Sequence, residues 1–151
     1  MDINWQCVSF DELSTRQLYE IIKLRVDVFV VEQNCPYEEL DNKDHQSGVK
    51  HLLGYLNDEL VAYSRLLPAG ISLQHLSIGR VITKQSARGS GLGNQLLEQA
   101  INHCNQYWPN QIIEIEAQAH LQKYYEHHGF VKHSEPFMLD GIPHIEMQRA
   151  N

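Results

Sequence analysis

Six residues, Arg88-Gly89-Ser90-Gly91-Leu92-Gly93, constrain this chain more than any other stretch. They follow a strand-like run, Leu76 to Thr83, and precede a helix-like run, Asn94 to Tyr107. Three alternating glycines leave a loop with no side chains to hold a ligand away, so its backbone N–H groups can converge on an anion. The helix behind adds the positive end of its dipole. Strand, glycine loop and helix in that order predict an α/β fold with a phosphate or pyrophosphate site at the loop.

Two common glycine loops do not match. A P-loop needs Lys-Ser or Lys-Thr after its last glycine, and here Asn94-Gln95 follows Gly93. A dinucleotide fingerprint needs Gly-x-Gly-x-x-Gly, whereas this loop runs Gly-x-Gly-x-Gly. The loop also comes late, leaving no room for a second βαβ unit, so a nicotinamide enzyme is a distant alternative.

Charge is distributed unevenly. The chain has 12 Lys and Arg against 19 Asp and Glu, a formal net charge of -7. No acid occurs from Leu60 to Leu97, where about five would be expected, while Arg65, Arg80, Lys84 and Arg88 all lie there. This predicts a locally positive field around the loop. The acidic balance argues against a nucleic-acid partner.

At 151 residues the expectation is a single domain over 1–151, with 42% hydrophobic and 21% charged residues, as globular chains have. No apolar run approaches a membrane span, and Met1-Asp2-Ile3-Asn4 lacks a signal-peptide pattern, so no membrane association is expected. Cys7, Cys35 and Cys104 are odd in number and widely spaced, which fits a reducing, cytoplasmic setting. The nine histidines show no zinc-ligand spacing, and His127-His128 face apart on a helix, so no metal is expected.

Periodicity places the elements. Trp5 to Phe10 reads as a strand, and Ser14-Thr15-Arg16-Gln17 as a capping box opening a helix. Leu18, Ile21, Ile22, Arg25, Val28 and Phe29 recur at helical spacing. Asn34 to Lys50 reads as a long loop, and His51 to Leu56 with Leu60 to Leu67 as a hairpin. Leu92, Leu96, Leu97, Ala100, Ile101 and Cys104 form one helical stripe, ended by Pro109. Ile112 to Ala117 is a strand and Leu121 to His128 a short helix stopped by Gly129. Phe130 to Ser134 and His144 to Gln148 are expected to pair about Asp140-Gly141.

Arg-x-x-Gly-x-Gly, here Arg88, Gly91 and Gly93, resembles the acetyl-CoA pyrophosphate loop of the GNAT N-acetyltransferases. A strand, Ile112 to Ala117, and then Tyr125-Glu126-His127-His128-Gly129-Phe130 follow in the family's order. Phe29-Val30-Val31-Glu32-Gln33, Cys35-Pro36-Tyr37, Ala117-Gln118-Ala119-His120 and Asp140-Gly141-Ile142-Pro143-His144 are similar to the ElaA-type branch. The resemblance spans Arg25 to Met147. It implies one mixed, mostly antiparallel sheet, splayed between strands 4 and 5 and flanked by helices. It further implies acetyl-CoA as co-substrate. The backbone of Val81, Ile82 and Thr83 would hold the pantetheine arm, and Arg88, Gly89, Ser90, Gly91, Leu92 and Gly93 the pyrophosphate. Gln118 stands where the family often has Asn, a conservative departure. Tyr125 matches the tyrosine near the thioester sulfur, where a phenol can protonate a departing thiolate. Tyr124 points elsewhere on the helix, and its loss is expected to be mild.

Glu114 and Glu116 share one face of the fifth strand, and Glu116 is the expected base, with His120 and His144 as rivals. Glu32, Glu38, Glu39, Asp41 and Asp44 lie within thirteen residues. If that segment walls the acceptor site, as the resemblance implies, its carboxylates would attract a cationic amine. The leading function is therefore acetyl-CoA-dependent transfer to a primary amine of a small molecule, peptide or protein. The alternative is a non-catalytic acyl-CoA-binding regulatory module. Phe137-Met138-Leu139 is apolar enough to serve either a homodimer interface or the core.

Overall fold

Among the described residues, alternating and continuous apolar runs lay out eight strands: β1 (Asn4–Ser9), β2 (Lys50–Leu56), β3 (Glu59–Leu67), β4 (Leu76–Thr83), β5 (Ile113–Gln118), β6 (Val131–Lys132), β7 (Phe137–Leu139) and β8 (Ile142–Arg149). The computed structural model describes residues 2–150; Met1 and Asn151 of the expected 1–151 domain lie outside the described residues. The strands form one sheet in the order β1-β2-β3-β4-β5-β8-β6, with β7 also on β8. Every pairing is antiparallel except β4 with β5. That parallel pairing is limited to Leu76↔Ile113 and Ser77↔Glu114, so the expected splay opens beyond Ser77.

Helices cover both faces. α1 (Thr15–Arg25) starts at the expected capping box, with Gln17 N donating to Ser14 Oγ and Ser14 N to Gln17 Oε1, both at 3.0 Å. It runs on into a π-helical segment, Val26–Glu32. The valine-rich run there is a weak α-former, and the wider coil recloses through bonds such as Cys35 N to Val30 O at 3.0 Å. Ile21, Leu24 and Val28 bury against Leu53, Leu60, Tyr63 and Ile82. α2 (Leu92–Tyr107) lays its predicted stripe on the opposite face, and Tyr125 and Phe130 join that second cluster. α2 begins two residues before the expected Asn94, so Leu92 and Gly93 belong to its first turn. α3 (Gln122–Glu126) is shorter than Leu121 to His128, its first turn being a 3₁₀ turn at Ala119–Leu121.

The last hairpin differs from expectation. Asp140-Gly141 joins β8 to β7, with Leu139↔Ile142 innermost, rather than to Phe130–Ser134. β6 meets the far end of β8, at Val131↔Gln148. β6 and β7 are thus two pieces along one edge of β8, separated by a segment holding Pro136, which has no N–H to give the ladder.

The structural feature that shapes the site is a bulge. β3 and β4 pair at Tyr63↔Ile82 and again at Arg65↔Gly79, which leaves one extra residue on β4. Arg80, inside it, takes a left-handed φ of 52°. Without a bulge, Leu76, Ile78, Arg80 and Ile82 would share a face. Instead Leu76 and Ile78 pack with α2, and Ile82 packs with α1.

Candidate active site

The splay encloses a cavity of about 200 Å³. β4 and β5 form two of its sides, and Tyr125, from α3, lines it as well. The 33–49 loop roofs it through Gln33, Cys35 and Tyr37, and the β7–β8 hairpin through Leu139, Asp140, Ile142 and His144. Two contacts tie the roof across: Gln118 Nε2 donates to Gln33 Oε1 at 3.3 Å, and Cys35 Sγ to Asp140 O at 3.3 Å.

The loop stays down because of buried ion pairs. Arg25, in the apolar stripe of α1, is 1% exposed. It donates from Nε to Glu39 Oε2 and from Nη1 to Asp44 Oδ1, each at 2.6 Å. Arg65 donates from Nη1 to Asp41 and Asp44, both at 2.9 Å, and from Nη2 to Asp41 at 2.7 Å. The bulge carries Arg80 to Glu39 Oε2 at 2.7 Å. Three guanidiniums thus face three carboxylates. Burial opposes ionisation of Asp41 and Asp44, yet Arg65 and Arg25 hold both carboxyls below the ordinary range.

These pairs correct two electrostatic expectations. The cations of the acid-free window do not present a free positive field: Arg65 and Arg80 belong to the buried cluster, Lys84 pairs with Glu59, and Arg88 grips Glu32 at 2.6 and 3.1 Å. Nor is the acidic loop an open negative wall, because Glu32, Glu39, Asp41 and Asp44 are all ion-paired. The partners lie 14 to 56 residues apart, and each charge run looks unbalanced until the chain folds.

The expected cofactor residues lie along one path. Val81, Ile82 and Thr83 end β4, with Ile82 buried and the others half-buried. Ile82 and Thr83 pair with β3 and Val81 lies in the bulge, while among the described residues the side of β4 facing β5 has no strand partner beyond Ser77. Arg88 also donates to Thr83 O at 2.8 Å, which folds the loop back onto the strand end. Gly89 and Gly91 adopt φ of 98° and 81°, and a Cβ at either would meet nothing within 4 Å. The loop therefore offers open backbone next to the α2 N-terminus, whose first N–H groups have no intrahelical acceptor. A pyrophosphate fits this cradle.

Tyr125 is buried, and its hydroxyl has no hydrogen-bond partner among the described residues; burial pushes its phenol well above the usual range, so it holds its proton. Tyr124 does point elsewhere, yet its hydroxyl donates to Gly93 O at 2.6 Å. That bond ties α3 to the start of α2, a structural role that the sequence reading did not give Tyr124. Glu116 is exposed at the cavity rim, and Glu114 shares its face but accepts from Gln148 at 3.3 Å. His144 lines the cavity with Nδ1 2.7 Å from Ile142 O. A carbonyl only accepts, so Nδ1 carries the proton and Nε2 of the neutral ring keeps its lone pair. His120 is exposed and does not line the cavity. Among the described residues no group of His, Cys, Asp and Glu is arranged to hold a metal, and no helix is long and apolar enough to cross a membrane.

Sequence reading missed Arg65, Ser77 and Arg80 as cavity residues. The one available signal was polar side chains interrupting apolar strands, at Arg65 before Leu66-Leu67 and at Ser77 between Leu76 and Ile78.

The family model for the Acetyltransferase (GNAT) domain matches residues 15–150. Protein ElaA of Escherichia coli K12 is 46% identical over 147 residues, 97% of this chain and 96% of that protein. The crystal structure of Escherichia coli ElaA superposes with a TM-score of 0.93 at 44% identity, covering 98% and 99% of the two chains. An acyl-CoA N-acyltransferase from Pseudomonas aeruginosa superposes at 0.94 with 42% identity, covering 99% and 100%. A GNAT acetyltransferase from Elizabethkingia anophelis, crystallised with acetyl-CoA, shares the fold alone at 17% identity and a TM-score of 0.66, covering 99% and 98%.

Proposed function

Because this chain belongs to the GNAT acetyltransferase family, we propose that it transfers an acetyl group from acetyl-CoA to a primary amine, residues 1–151 working as one cytoplasmic domain. The observation that carries this reading is the unpaired edge of β4 beyond Ser77, which leads from the cavity to the open glycine loop. Unpaired strand backbone needs partners, and a chain of amides such as pantetheine supplies them. Val81, Ile82 and Thr83 would hold that arm, with Gln118 opposite on β5. The backbone from Gly89 to Gly93 and the Arg88 side chain would hold the pyrophosphate. Acetyl-CoA in the distant Elizabethkingia relative agrees with this choice of donor.

The thioester supplies an activated acetyl group. The amine nitrogen attacks its carbonyl carbon; the new C–N bond forms, the C–S bond breaks, and Tyr125 gives the thiolate its proton. Glu116 takes the proton lost by the amine. His144 is a second reading for that role, favoured by its place in the cavity lining and by the Nδ1 bond to Ile142 O, which leaves the lone pair on Nε2.

Thiol release from acetyl-CoA in the presence of amines, with CoA titration by calorimetry, tests the reading. Saturable CoA binding without thiol release from any amine points to the acyl-CoA-binding module instead. To assign the base, Glu116→Gln should lower kcat/KM about tenfold or more at neutral pH and recover at high pH, where the amine arrives deprotonated. The same pattern in His144→Asn alone would move the role to His144.

A further inference from the structure

We propose that the cavity floor is a subsite for a neutral oxygen acceptor carried by the amine substrate, contacted by Arg65 Nε and Ser77 Oγ. This rests on the transferase reading above and specifies its acceptor class. Arg65 is 2% exposed and Ser77 3%, and both line the cavity. Arg65 Nε and Ser77 Oγ have no hydrogen-bond partner among the described residues. Buried donors without partners are uncommon, and two in one cavity mark a place where a ligand completes the bonding. Ser77 is also the last paired residue before β4 and β5 separate, so it sits at the apex of the splay.

The surrounding charges narrow the ligand. Both terminal nitrogens of Arg65 already serve Asp41 and Asp44. The cluster of Arg25, Arg65 and Arg80 with Glu39, Asp41 and Asp44 is balanced. A substrate carboxylate at the floor would be a buried charge without a counter-charge. A hydrocarbon would leave both donors unpaired. A neutral oxygen, with the amide carbonyl as the simplest case, accepts from both. At the rim the exposed carboxylates Glu116 and Asp140 suit the ammonium at the other end.

The test compares amide, carboxylate and branched-alkyl amines of matched shape: glycinamide, glycine and isobutylamine, and the same three end groups on chains one and two methylenes longer. At the best chain length the amide should exceed both others about tenfold or more in kcat/KM for thiol release. Ser77→Ala, a small change at a buried position, should bring the amide to within about threefold of the alkyl amine, the amide losing far more than the alkyl amine. A preference for the carboxylate or the alkyl amine, or an equal loss for all three in Ser77→Ala, overturns the subsite and leaves the transferase standing. No thiol release with any amine overturns the transferase reading and the subsite with it.

Discussion

Two adjacent tyrosines on one short helix meet different surroundings because a helix turns neighbours in different directions. Tyr125 keeps a proton facing the splay, held on by burial. Tyr125→Phe should lower kcat by about ten- to a thousandfold with little change in CoA affinity, in steady-state kinetics paired with calorimetry. A weakened CoA affinity at unchanged kcat would make it a binding residue. Tyr124 bonds the backbone of Gly93, at the mouth of the cofactor loop. Tyr124→Phe should cost about 1 kcal/mol of stability and weaken CoA binding severalfold without a selective loss of kcat. Urea unfolding and calorimetry on the same variant separate the two effects.

Among the elements, the π-helical segment is joined to the glycine loop through Glu32 and Arg88. Both side chains are about one-third exposed, so the pair adds little stability, between about 0 and 1 kcal/mol. Glu32 nevertheless occupies the guanidinium that a pyrophosphate would use. Glu32→Gln should therefore tighten CoA binding about two- to tenfold with nearly unchanged thermal stability; weaker binding would show that Glu32 positions Arg88 instead. The sequence announced the loop, the capping box at Ser14, the α2 stripe and the fifth strand, because each is written in local spacing. The β4 bulge was illegible: Leu76, Ile78 and Ile82 have the parity of a regular strand, and only β3 opposite reveals the extra residue. Arg25 could be read as an anomaly in an apolar stripe, but its partners Glu39 and Asp44 are set by how the loop closes. The same non-local pairing turned two apparent charge patches into one neutral cluster.

At the scale of the whole molecule, that cluster clamps loop, helix and sheet together, and breaking it should unfold more than the loop. Asp44→Asn takes a carboxylate from Arg25 and Arg65 at once and should cost about 3–5 kcal/mol in denaturant unfolding. Asp41 and Asp44 have folded pKa values depressed below the unfolded value of about 3.9. Their stabilisation is full above that unfolded value and is lost as pH falls toward the folded ones. Stability should thus change little between about pH 5 and 8 and decline below about pH 4, with a shallower acid limb in Asp44→Asn. The seam between β4 and β5 has a different consequence. Among the described residues, only two ladder pairs join the four strands β1–β4 to the four strands β5–β8. The sheet is thus two halves with a short shared ladder, backed by one core on α2, and a ligand in the gap would add a further tie between them. A bound thioester arm would brace the two halves, and amide exchange should slow along β5 and β8 as well as at the glycine loop. Loading would be felt as stiffness across the protein before any bond is made or broken.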